Sequence, residues 1–289
     1  MKTFEIHHHH QGPSEKAIDI LKALTDLSTS ELKSAISKGA LWLEQKSKVN
    51  RLRRFKKEVS AGDSLHFYFN EKVLSEVPPT AKLIEDCGNY SVWYKPYGML
   101  AQGSKWSDHC TIMRWAEQHL PNDRVAFPVH RLDRATSGII VIAHAKKIAR
   151  AFGKLFETHD LVKQYQAIIH GKLSASPLTS VAPVHDKPAK STFKELDYQS
   201  GTDVSLVEIT IETGRKHQIR LHSSSMGHPI VGDRLYNPHF RSHETLNLQL
   251  CATFLSFVCP TTHQEKQYTL PNELQLDFLG VAAQLTASN

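Results

Sequence analysis

The sequence predicts an α+β protein in which a small α/β module precedes a larger domain built on a mixed or antiparallel β-sheet flanked by helices. Two short helical patterns open the chain, a stretch containing Pro78-Pro79 interrupts it, and several β-type segments with few helices follow. Its 289 residues are enough for about two ordinary domains. We therefore expect a disordered tail at 1–13, the module at 14–70, a linker at 71–82 and the larger domain at 83–289.

The predicted module begins with two amphipathic segments. Ile18, Leu21 and Leu24 repeat at helical spacing after Ser14, and a second helical pattern ends at Gly39. The strand-like segments ALWLE and SLHFYF follow, separated by a basic loop and a turn. This order resembles the small RNA-binding module shared by ribosomal small-subunit proteins and several RNA-modifying enzymes.

The positive charge of the chain is concentrated in one segment. The net charge is +6, but residues 46–57 hold seven basic residues and no acidic one, so the rest of the chain carries −1. We expect Arg51, Arg53 and Arg54 in this cluster to contact RNA phosphates. A solvated basic surface on an N-terminal extension is the alternative interpretation.

Composition excludes several classes of protein. No apolar run approaches the roughly 18 residues of a membrane helix, and the first residues lack the pattern of a signal peptide, so we expect a cytoplasmic protein without membrane contact. We separately expect a monomer, a state that the sequence itself does not specify. The four cysteines are scattered and form no CxxC pair. Residues His7–His10 could bind a metal or be a tag remnant, but four adjacent histidines in a polar terminus are more often part of a disordered tail, so no metal site is expected there.

The larger domain has a clear sequence of elements. Residues 137–145 form an apolar run typical of a buried strand, and residues 146–158 carry apolar side chains on one helical face. Strands are predicted at 163–171, around the alternating Val207, Ile209 and Ile211, and in the segment LQLCATFLSFV near the end.

A polar loop precedes the buried strand. Asp133 lies beside His130, Arg131 and Arg134, and neighbouring cations favour its ionised, nucleophilic form. An aspartate in an arbitrary loop more often caps a turn, here through Thr136 or Ser137.

A second stretch, residues 213–236, concentrates cations at a predicted helix start. A helix that follows Thr213-Gly214 would place Arg215, Lys216 and His217 in its first turn, with Arg220 one turn after Lys216. Cations there oppose the helix dipole, so binding of a phosphate backbone explains them better than stability does. A merely solvated basic helix is the alternative.

A third stretch places Lys163 and Tyr165 on one face of a strand, two residues apart. An aromatic ring in that position can stack on a nucleobase, a contact worth roughly 1–3 kcal/mol. Taken alone, Tyr165 fits a half-buried strand residue equally well.

Together these segments resemble the RluA-type pseudouridine synthases. HRLDRATSG at 130–138 matches that family's HRLDxxTSG signature, and GRKHQIRLH and GHPIVGDRLY are similar to its later elements GRxHQIRxH and GHPIxGDxxY. KQY at 163–165 fits the family's KxY strand. YKPYG at 94–98 resembles its NKPxG turn, with Tyr94 in place of the usual Asn.

The resemblance implies isomerisation of specific uridines in structured RNA to pseudouridine, with Asp133 as nucleophile and no cofactor. It also implies that Arg220 pairs with Asp133 and that Tyr165 stacks on the target base and takes part in removing the proton from ring carbon five. Arg131 is expected to fill the gap left by the flipped uridine. Lys163, Arg215 and Lys216 are expected to contact phosphates.

Three questions stay open at the level of sequence. The first step of the chemistry, attack on the sugar, attack on the ring or formation of a glycal, is not specified by the residues. Ribosomal RNA is favoured as substrate by the N-terminal module, with transfer RNA as the other candidate. A non-catalytic RNA-binding or remodelling protein is the alternative function, and a glycoside or nucleoside hydrolase is disfavoured because no second acid accompanies the signature.

Overall fold

The computed structural model describes residues 1–240 and 245–288, which divide into two units. Unit 1 contains residues 1–78 and 102–118, and unit 2 contains residues 79–101 and the chain from His119 onward. Within the described residues, no helix is both long enough and apolar enough to cross a membrane.

Unit 1 contains a four-stranded antiparallel sheet in the order β1-β6-β3-β4 and a separate short pair, β2 with β5. Its elements are β1 (Thr3–His9), β2 (Glu15–Lys16), α1 (Ala17–Leu24), α2 (Thr29–Ser37), β3 (Leu41–Gln45), β4 (Lys48–Arg51), β5 (Glu58–Val59), β6 (Ser64–Asn70), α3 (Glu71–Ser75) and α4 (Ile112–His119).

One face of this sheet packs on the helices to form the core of unit 1. Leu65, Phe67 and Phe69 alternate along β6 on the buried face and share a core cluster with Leu32 and Ile36 of α2. This period-two pattern gives a strand with one buried and one outward face. The two predicted helices and the two predicted strands of the module are present, but the predicted basic loop contains β4, which pairs with β3.

The prediction of a disordered tail at 1–13 is wrong. Residues 3–9 form β1, whose complete register pairs it with β6 from Thr3↔Asn70 to His9↔Ser64. His10, at the end of the histidine run, is buried, and its Nε2 lies 2.7 Å from the carbonyl oxygen of Pro13. Only Phe4 and Ile6 signal this strand locally, because its order comes from pairing with a segment some sixty residues later.

The predicted domain boundaries also differ from the structure. The expected linker at 71–82 contains α3, whose first turn is capped by the side chain of Asn70. Residues 102–118 belong to unit 1, although the prediction assigned them to an unbroken domain from residue 83. Unit 1 is therefore discontinuous in sequence.

Unit 2 is built on a mixed ten-stranded sheet. Its elements are β7 (Lys82–Asp86), β8 (Tyr90–Lys95), β9 (Phe127–Pro128), β10 (Ser137–Ala143), α5 (Lys146–Thr158), β11 (Leu161–His170), β12 (Leu178–Ser180), β13 (Ser191–Gln199), β14 (Val204–Ile211), α6 (Gln218–Ser225), β15 (Leu250–Val258), β16 (Glu265–Thr269), a 3₁₀ turn (Asn272–Leu274) and α7 (Phe278–Ser288).

The strands of this sheet follow the order β12-β13-β14-β11-β15-β10-β8-β7, with β16 beside β15 and β9 beside β10. β10 pairs in parallel with β15, and the other described pairings are antiparallel. The predicted α+β fold with a mixed sheet and flanking helices is confirmed.

β10 is an inner strand of the sheet, and all seven of its residues are buried. Helix α5, which spans the predicted residues 146–158, covers it. The Phe152 ring lies edge-on to Tyr90 at 5.0 Å and to Phe257 at 5.3 Å between centroids. Aromatic edge contacts of this kind stabilise a core beyond the apolar area that they bury.

Gly138, the last residue of the HRLDRATSG segment, allows β10 and β15 to approach each other. Its φ is +118°, and a Cβ atom at this position would overlap the backbone nitrogen, Cα and oxygen of Ala252. Only glycine satisfies both constraints. The close approach fixes where the preceding loop leaves the sheet.

We expect Gly138→Ala to destabilise unit 2 by about 3 kcal/mol or more, because the new methyl group adds a steric clash to an unfavourable φ. Gly153→Ala is the matched control, since Gly153 lies inside α5 and a Cβ atom added there would meet no neighbouring atom within 4 Å. That change should be neutral or stabilising by about 0.5–1 kcal/mol. Urea unfolding of both variants measures the difference, and equal stabilities would contradict the steric argument.

Candidate active site

The loop between β9 and β10 presents Asp133 at the surface of a pocket. The backbone oxygen of Asp133 accepts the N–H of Thr136 at 3.0 Å, which closes a tight turn. Leu132 and Thr136 are buried on either side, while Asp133 remains partly exposed. The loop is therefore anchored by its neighbours, and the carboxylate is left accessible.

His130 anchors the start of the same loop. Its Nε2 accepts the backbone N–H of Val141 in β10 at 3.0 Å, and its ring stacks on Phe156 of α5 at 4.4 Å. Burial, with a smaller contribution from Lys163, lowers the pKa of His130 to about 3. The ring is therefore neutral at physiological pH, as its role as hydrogen-bond acceptor requires.

The pocket combines one carboxylate with several cations. Its lining consists of Arg131, Leu132, Asp133, Thr136, Tyr165, Ile211, Gly214, Arg215, Lys216, His217, Gln218, Ile219, Arg220 and Leu250. Asp133 is the one acidic side chain among these described lining residues. The three predicted catalytic residues, Asp133, Tyr165 and Arg220, thus meet in a single pocket.

The predicted helix start at Thr213-Gly214 is wrong. Helix α6 begins at Gln218, and Arg215–His217 form a turn ahead of it, with His217 in the left-handed region at φ +59°. The Oε1 of the buried Gln218 accepts the hydroxyl of Thr213 at 2.6 Å and the N–H of Arg215 at 3.1 Å. This side chain replaces the missing helical turn, a role that spacing alone does not reveal.

His217 connects Asp133 to a tyrosine. Its Nε2 lies 3.6 Å from a carboxylate oxygen of Asp133, and its Nδ1 lies 2.8 Å from the hydroxyl oxygen of Tyr236. Burial lowers the pKa of His217, although the charge of Asp133 opposes that shift. In the neutral ring, a proton on Nε2 faces Asp133 while Tyr236 donates to Nδ1, and this tautomer satisfies both neighbours.

Arg220 does not pair with Asp133, contrary to prediction. Its Nε and Nη2 bind the two carboxylate oxygens of Asp233 at 2.8 and 2.6 Å, and both side chains are buried. Asp233 also accepts the N–H groups of Leu235 and Tyr236 at 2.9 and 3.1 Å. A bidentate pair with backbone support satisfies this buried guanidinium more completely than a partly exposed loop carboxylate would.

Arg220 nevertheless remains an electrostatic neighbour of Asp133. Burial on its own lowers the pKa of Arg220, but Asp233 and, to a smaller extent, Asp133 raise it above its ordinary value. The guanidinium also lies 4.9 Å from the ring centre of Tyr236. One cation thus holds Asp233 and Tyr236 in place and contributes positive potential at Asp133.

Tyr165 lies in β11 where the register with β15 shifts between Gln164 and Tyr165. Burial and the nearby charge of Asp133 raise the pKa of its hydroxyl above the ordinary value. The ring is therefore uncharged at physiological pH. This favours a stacking role over that of a preformed tyrosinate base.

Lys163 is more enclosed than a simple phosphate contact requires. Its Nζ lies 5.8 Å from the ring centre of Phe156 and close to Gly214, and burial lowers its pKa. It is absent from the described lining of the pocket. Its ammonium therefore contributes to the potential behind the 213–217 turn.

Lys95, in the YKPYG segment, is a buried cation that the resemblance did not single out. It is fully buried, and its Nζ donates to the carbonyl oxygens of Met99 at 2.8 Å and Pro96 at 3.2 Å. Burial lowers its pKa to about 7, against the opposing influence of Asp133. The sequence signal that could have identified Lys95 is a charged residue at the end of an apolar strand.

The other predicted RNA contacts of this domain line the pocket. Arg131 and Lys216 are exposed, whereas Arg215 is partly exposed and donates from Nε to the oxygen of Pro188 at 3.3 Å. Arg131 and Lys216 therefore have the freedom to meet an RNA backbone. Within the described part of the chain, no group of three or more metal-ligating side chains is present.

Two of the three predicted RNA contacts in unit 1 are engaged inside the fold. Arg51 and Arg53 both form ion pairs with Asp108, and Arg51 also donates to the oxygens of Gly39 and Ser104. Arg54 is exposed. The predicted use of Arg51 and Arg53 on RNA is corrected: their charges fasten residues 102–118 within unit 1.

Comparison with known proteins matches the part of the chain that contains the predicted catalytic residues. The profile of the RNA pseudouridylate synthase family matches residues 89–225, which include Asp133, Tyr165 and Arg220. The dual-specificity RNA pseudouridine synthase RluA of Vibrio parahaemolyticus is 32% identical over 61% of this chain and 77% of its own length. The tRNA pseudouridine synthase C of Haemophilus ducreyi is 33% identical over 59% of this chain and 82% of its own length.

A solved structure shows the same fold. Human RNA pseudouridylate synthase domain containing 1 covers 73% of this chain and 98% of its own length, with a TM-score of 0.58 and 21% identity. The chain belongs to the RluA-type family of RNA pseudouridine synthases, enzymes that convert uridine in RNA to pseudouridine.

The neutral His130 ring acts as a hydrogen-bond acceptor, and this predicts that the free energy of unfolding depends on pH. Its pKa in the folded state, about 3, is below that of the unfolded chain, so the unfolded state binds more protons between pH 6.5 and 3. The stability advantage of the wild type over His130→Asn should shrink by up to about 1.4 kcal/mol per pH unit as pH falls through that window. Chemical unfolding at several pH values measures this difference, and the exposed His159→Asn is the control. If the free energies of unfolding of the wild type and His130→Asn fell in parallel with pH, the prediction would be refuted.

The engagement of Arg53 predicts different effects for two adjacent arginines. Arg53→Ala should lower the melting temperature of unit 1, because it removes an ion-pair partner of Asp108, whereas Arg54→Ala should leave it nearly unchanged. Both remove one positive charge, so the pair is matched. Differential scanning calorimetry measures the difference, and an equal or larger loss for Arg54→Ala would contradict the assignment.

Proposed function

We propose that Asp133 is the nucleophile with which this enzyme isomerises specific uridines of structured RNA. The observation that carries the proposal is the pocket itself, in which Asp133 is the one acidic side chain among the described lining residues. A single carboxylate suits an isomerisation that proceeds through one covalent or glycal intermediate. The common two-acid route of glycoside hydrolysis needs a second carboxylate, and none is present among those described lining residues.

The reaction requires no co-reactant. The bond between the ribose carbon and ring nitrogen one breaks, the base turns within the pocket, a carbon–carbon bond forms to ring carbon five, and that carbon releases its proton while ring nitrogen one gains one. The pocket has to keep the detached base in place during the turn. Tyr165 supports this role because its uncharged ring lines the same wall as Asp133.

Positive charge lies near Asp133, but no arginine of the described residues pairs with it directly. Arg220 supplies positive potential from behind, already bound to Asp233. We assign His217 a positioning role, since its ring lies between Asp133 and the hydroxyl of Tyr236. Such an arrangement leaves a carboxylate oxygen available to the substrate.

The exposed cations at the pocket rim support the RNA substrate. Arg131 lies on the same loop as Asp133, and we assign it to the gap left by a flipped uridine. Lys216 and Arg215 also line the pocket and are assigned to the phosphates that flank that uridine, while Lys163 reinforces the potential behind them.

The substrate is proposed to be ribosomal or transfer RNA. The small α/β unit at the N-terminus favours ribosomal RNA by its resemblance to ribosomal-protein modules. The name of the relative from Haemophilus ducreyi favours transfer RNA. Pseudouridine mapping of total RNA from a deletion strain distinguishes the two and reports the modified position.

Asp133→Asn should reduce single-turnover pseudouridine formation by a factor of about 10³ or more, on the order of the loss seen for other covalent nucleophiles. Release of tritium from RNA labelled at ring carbon five of uridine measures this rate. The Asp133→Asn variant should keep the melting temperature of the wild type. Asp160→Asn, at an exposed carboxylate after α5, is the control and should retain full activity.

Full pseudouridine formation by Asp133→Asn would exclude the nucleophile role. Release of free uracil by the wild type would instead indicate a hydrolase. Unchanged cellular function in an Asp133→Asn strain, despite lost turnover, would favour a non-catalytic RNA-binding role.

A further inference from the structure

The outward face of the unit 1 sheet carries a row of rings that the catalytic reaction does not use. The pairing registers His7↔His66, His66↔Trp42 and Trp42↔Arg51 place these four side chains side by side across β1, β6, β3 and β4. The opposite face of the same strands forms the apolar core. An outward aromatic row is therefore not needed to bury the sheet.

A second aromatic pair extends this row. Tyr68 follows His66 on the outward face of β6, and its ring lies 6.0 Å from that of Trp106 and 5.6 Å from that of His7. His66, Tyr68 and Trp106 are all partly exposed. We use the name ring face for the residues His7, His66, Tyr68 and Trp106.

Two acids on this surface already have side-chain partners. Glu5 is paired with the Nζ of Lys105 at 2.6 Å, and Glu44 lies 3.1 Å from the Nε2 of His66. Lys105 also lies over the rings of Tyr68 and Trp106 at 5.1 and 5.0 Å. A polyanion approaching the rings therefore meets a paired carboxylate and a cation, with little repulsion.

Unpaired cations border the same sheet. With Arg51 and Arg53 bound to Asp108, the exposed basic side chains of residues 46–57 that have no carboxylate partner among the described residues are Lys46, Lys48, Arg54, Lys56 and Lys57. Lys46 and Lys48 lie at the turn between β3 and β4, and the others follow β4. Lys46 and Lys48 thus lie at the β4 side of the sheet that carries the ring face.

We propose that the ring face binds an unpaired segment of the RNA substrate, with bases stacked on Tyr68, Trp106 and His66 and phosphates on the neighbouring lysines and Arg54. Single-stranded RNA presents free base faces to such rings, whereas a duplex keeps its bases stacked inside. This inference rests on the proposed function, because it gives RNA a second contact on the same enzyme.

Binding is tested on full-length protein carrying Asp133→Asn, so that turnover does not change the probe. The probes are a fluorescein-labelled oligouridine of about 10 nucleotides, within the site size of single-strand-binding sheets, and a duplex of equal length. Tyr68→Leu and Trp106→Leu should each weaken binding of the single strand about 5- to 150-fold, the range to which roughly 1–3 kcal/mol of base stacking corresponds. Binding of the duplex should not change.

Two sets of variants separate stacking from folding and from charge. Tyr68→Phe and Trp106→Phe keep a ring and should retain single-strand affinity, whereas Tyr198→Leu, at a tyrosine of unit 2, should have no effect. Lys46→Gln with Lys48→Gln should weaken binding of both probes and reduce its salt dependence.

Equal loss for single strand and duplex in the leucine variants would overturn the proposal, and so would unchanged single-strand affinity. Loss in the phenylalanine variants as large as in the leucine variants would show that folding, and not stacking, was measured, and would also overturn it. A wild type that dimerises, and a Trp106→Leu variant that does not, would assign the ring face to a second copy of the chain instead. Failure of the wild type to form pseudouridine would reject the proposed function but would leave these binding results intact.

Discussion

The buried ion pair between Arg220 and Asp233 is the contact on which the rest of the active site depends. The guanidinium leaves helix α6 and binds both oxygens of Asp233, whose carboxylate also holds the N–H groups of Leu235 and Tyr236. Two charges withdrawn from water in this way cost several kcal/mol each unless their geometry is well satisfied. The pair therefore constrains where α6 and the 233–236 turn lie relative to each other.

Two consequences for Asp133 follow from that constraint. Tyr236 is held so that its hydroxyl meets Nδ1 of His217, whose other nitrogen faces the carboxylate. Arg220 brings positive potential close to Asp133 without occupying its oxygens. Gly232, at φ +75° and with no room for a Cβ beside Asn247, allows the chain to turn into Asp233. The GHPIVGDRLY segment thus supports catalysis from a position behind the pocket.

Much of unit 2 could be predicted because its signals are local. The apolar run of β10, the one-sided helix α5 and the alternation in β14 each encode their own element. The pocket residues Asp133, Tyr165 and Arg220 were identified by the resemblance, and the structure brings them together. The partner of Arg220 could not be predicted, because the choice between Asp133 and Asp233 depends on burial and backbone donors in three dimensions.

The failures in unit 1 have a common physical origin. Strand β1 exists through its pairing with β6, and the charges of Arg51 and Arg53 are absorbed by Asp108, more than fifty residues later in the chain. Neither partner is visible in a local window of sequence. The basic cluster looked like a single RNA-binding surface because the sequence shows which side chains are charged and not which charges are already paired.

The discontinuity of unit 1 also bears on how the chain folds during synthesis. Domains generally fold from the N-terminus as the chain emerges, yet residues 1–78 leave the ribosome before Asp108 does. In that interval Arg51 and Arg53 lack the carboxylate that neutralises them, and the outward face of the sheet lacks Trp106. The nascent unit therefore presents two arginines without their ion-pair partner, and its rings are at their most exposed, while it is still beside ribosomal RNA.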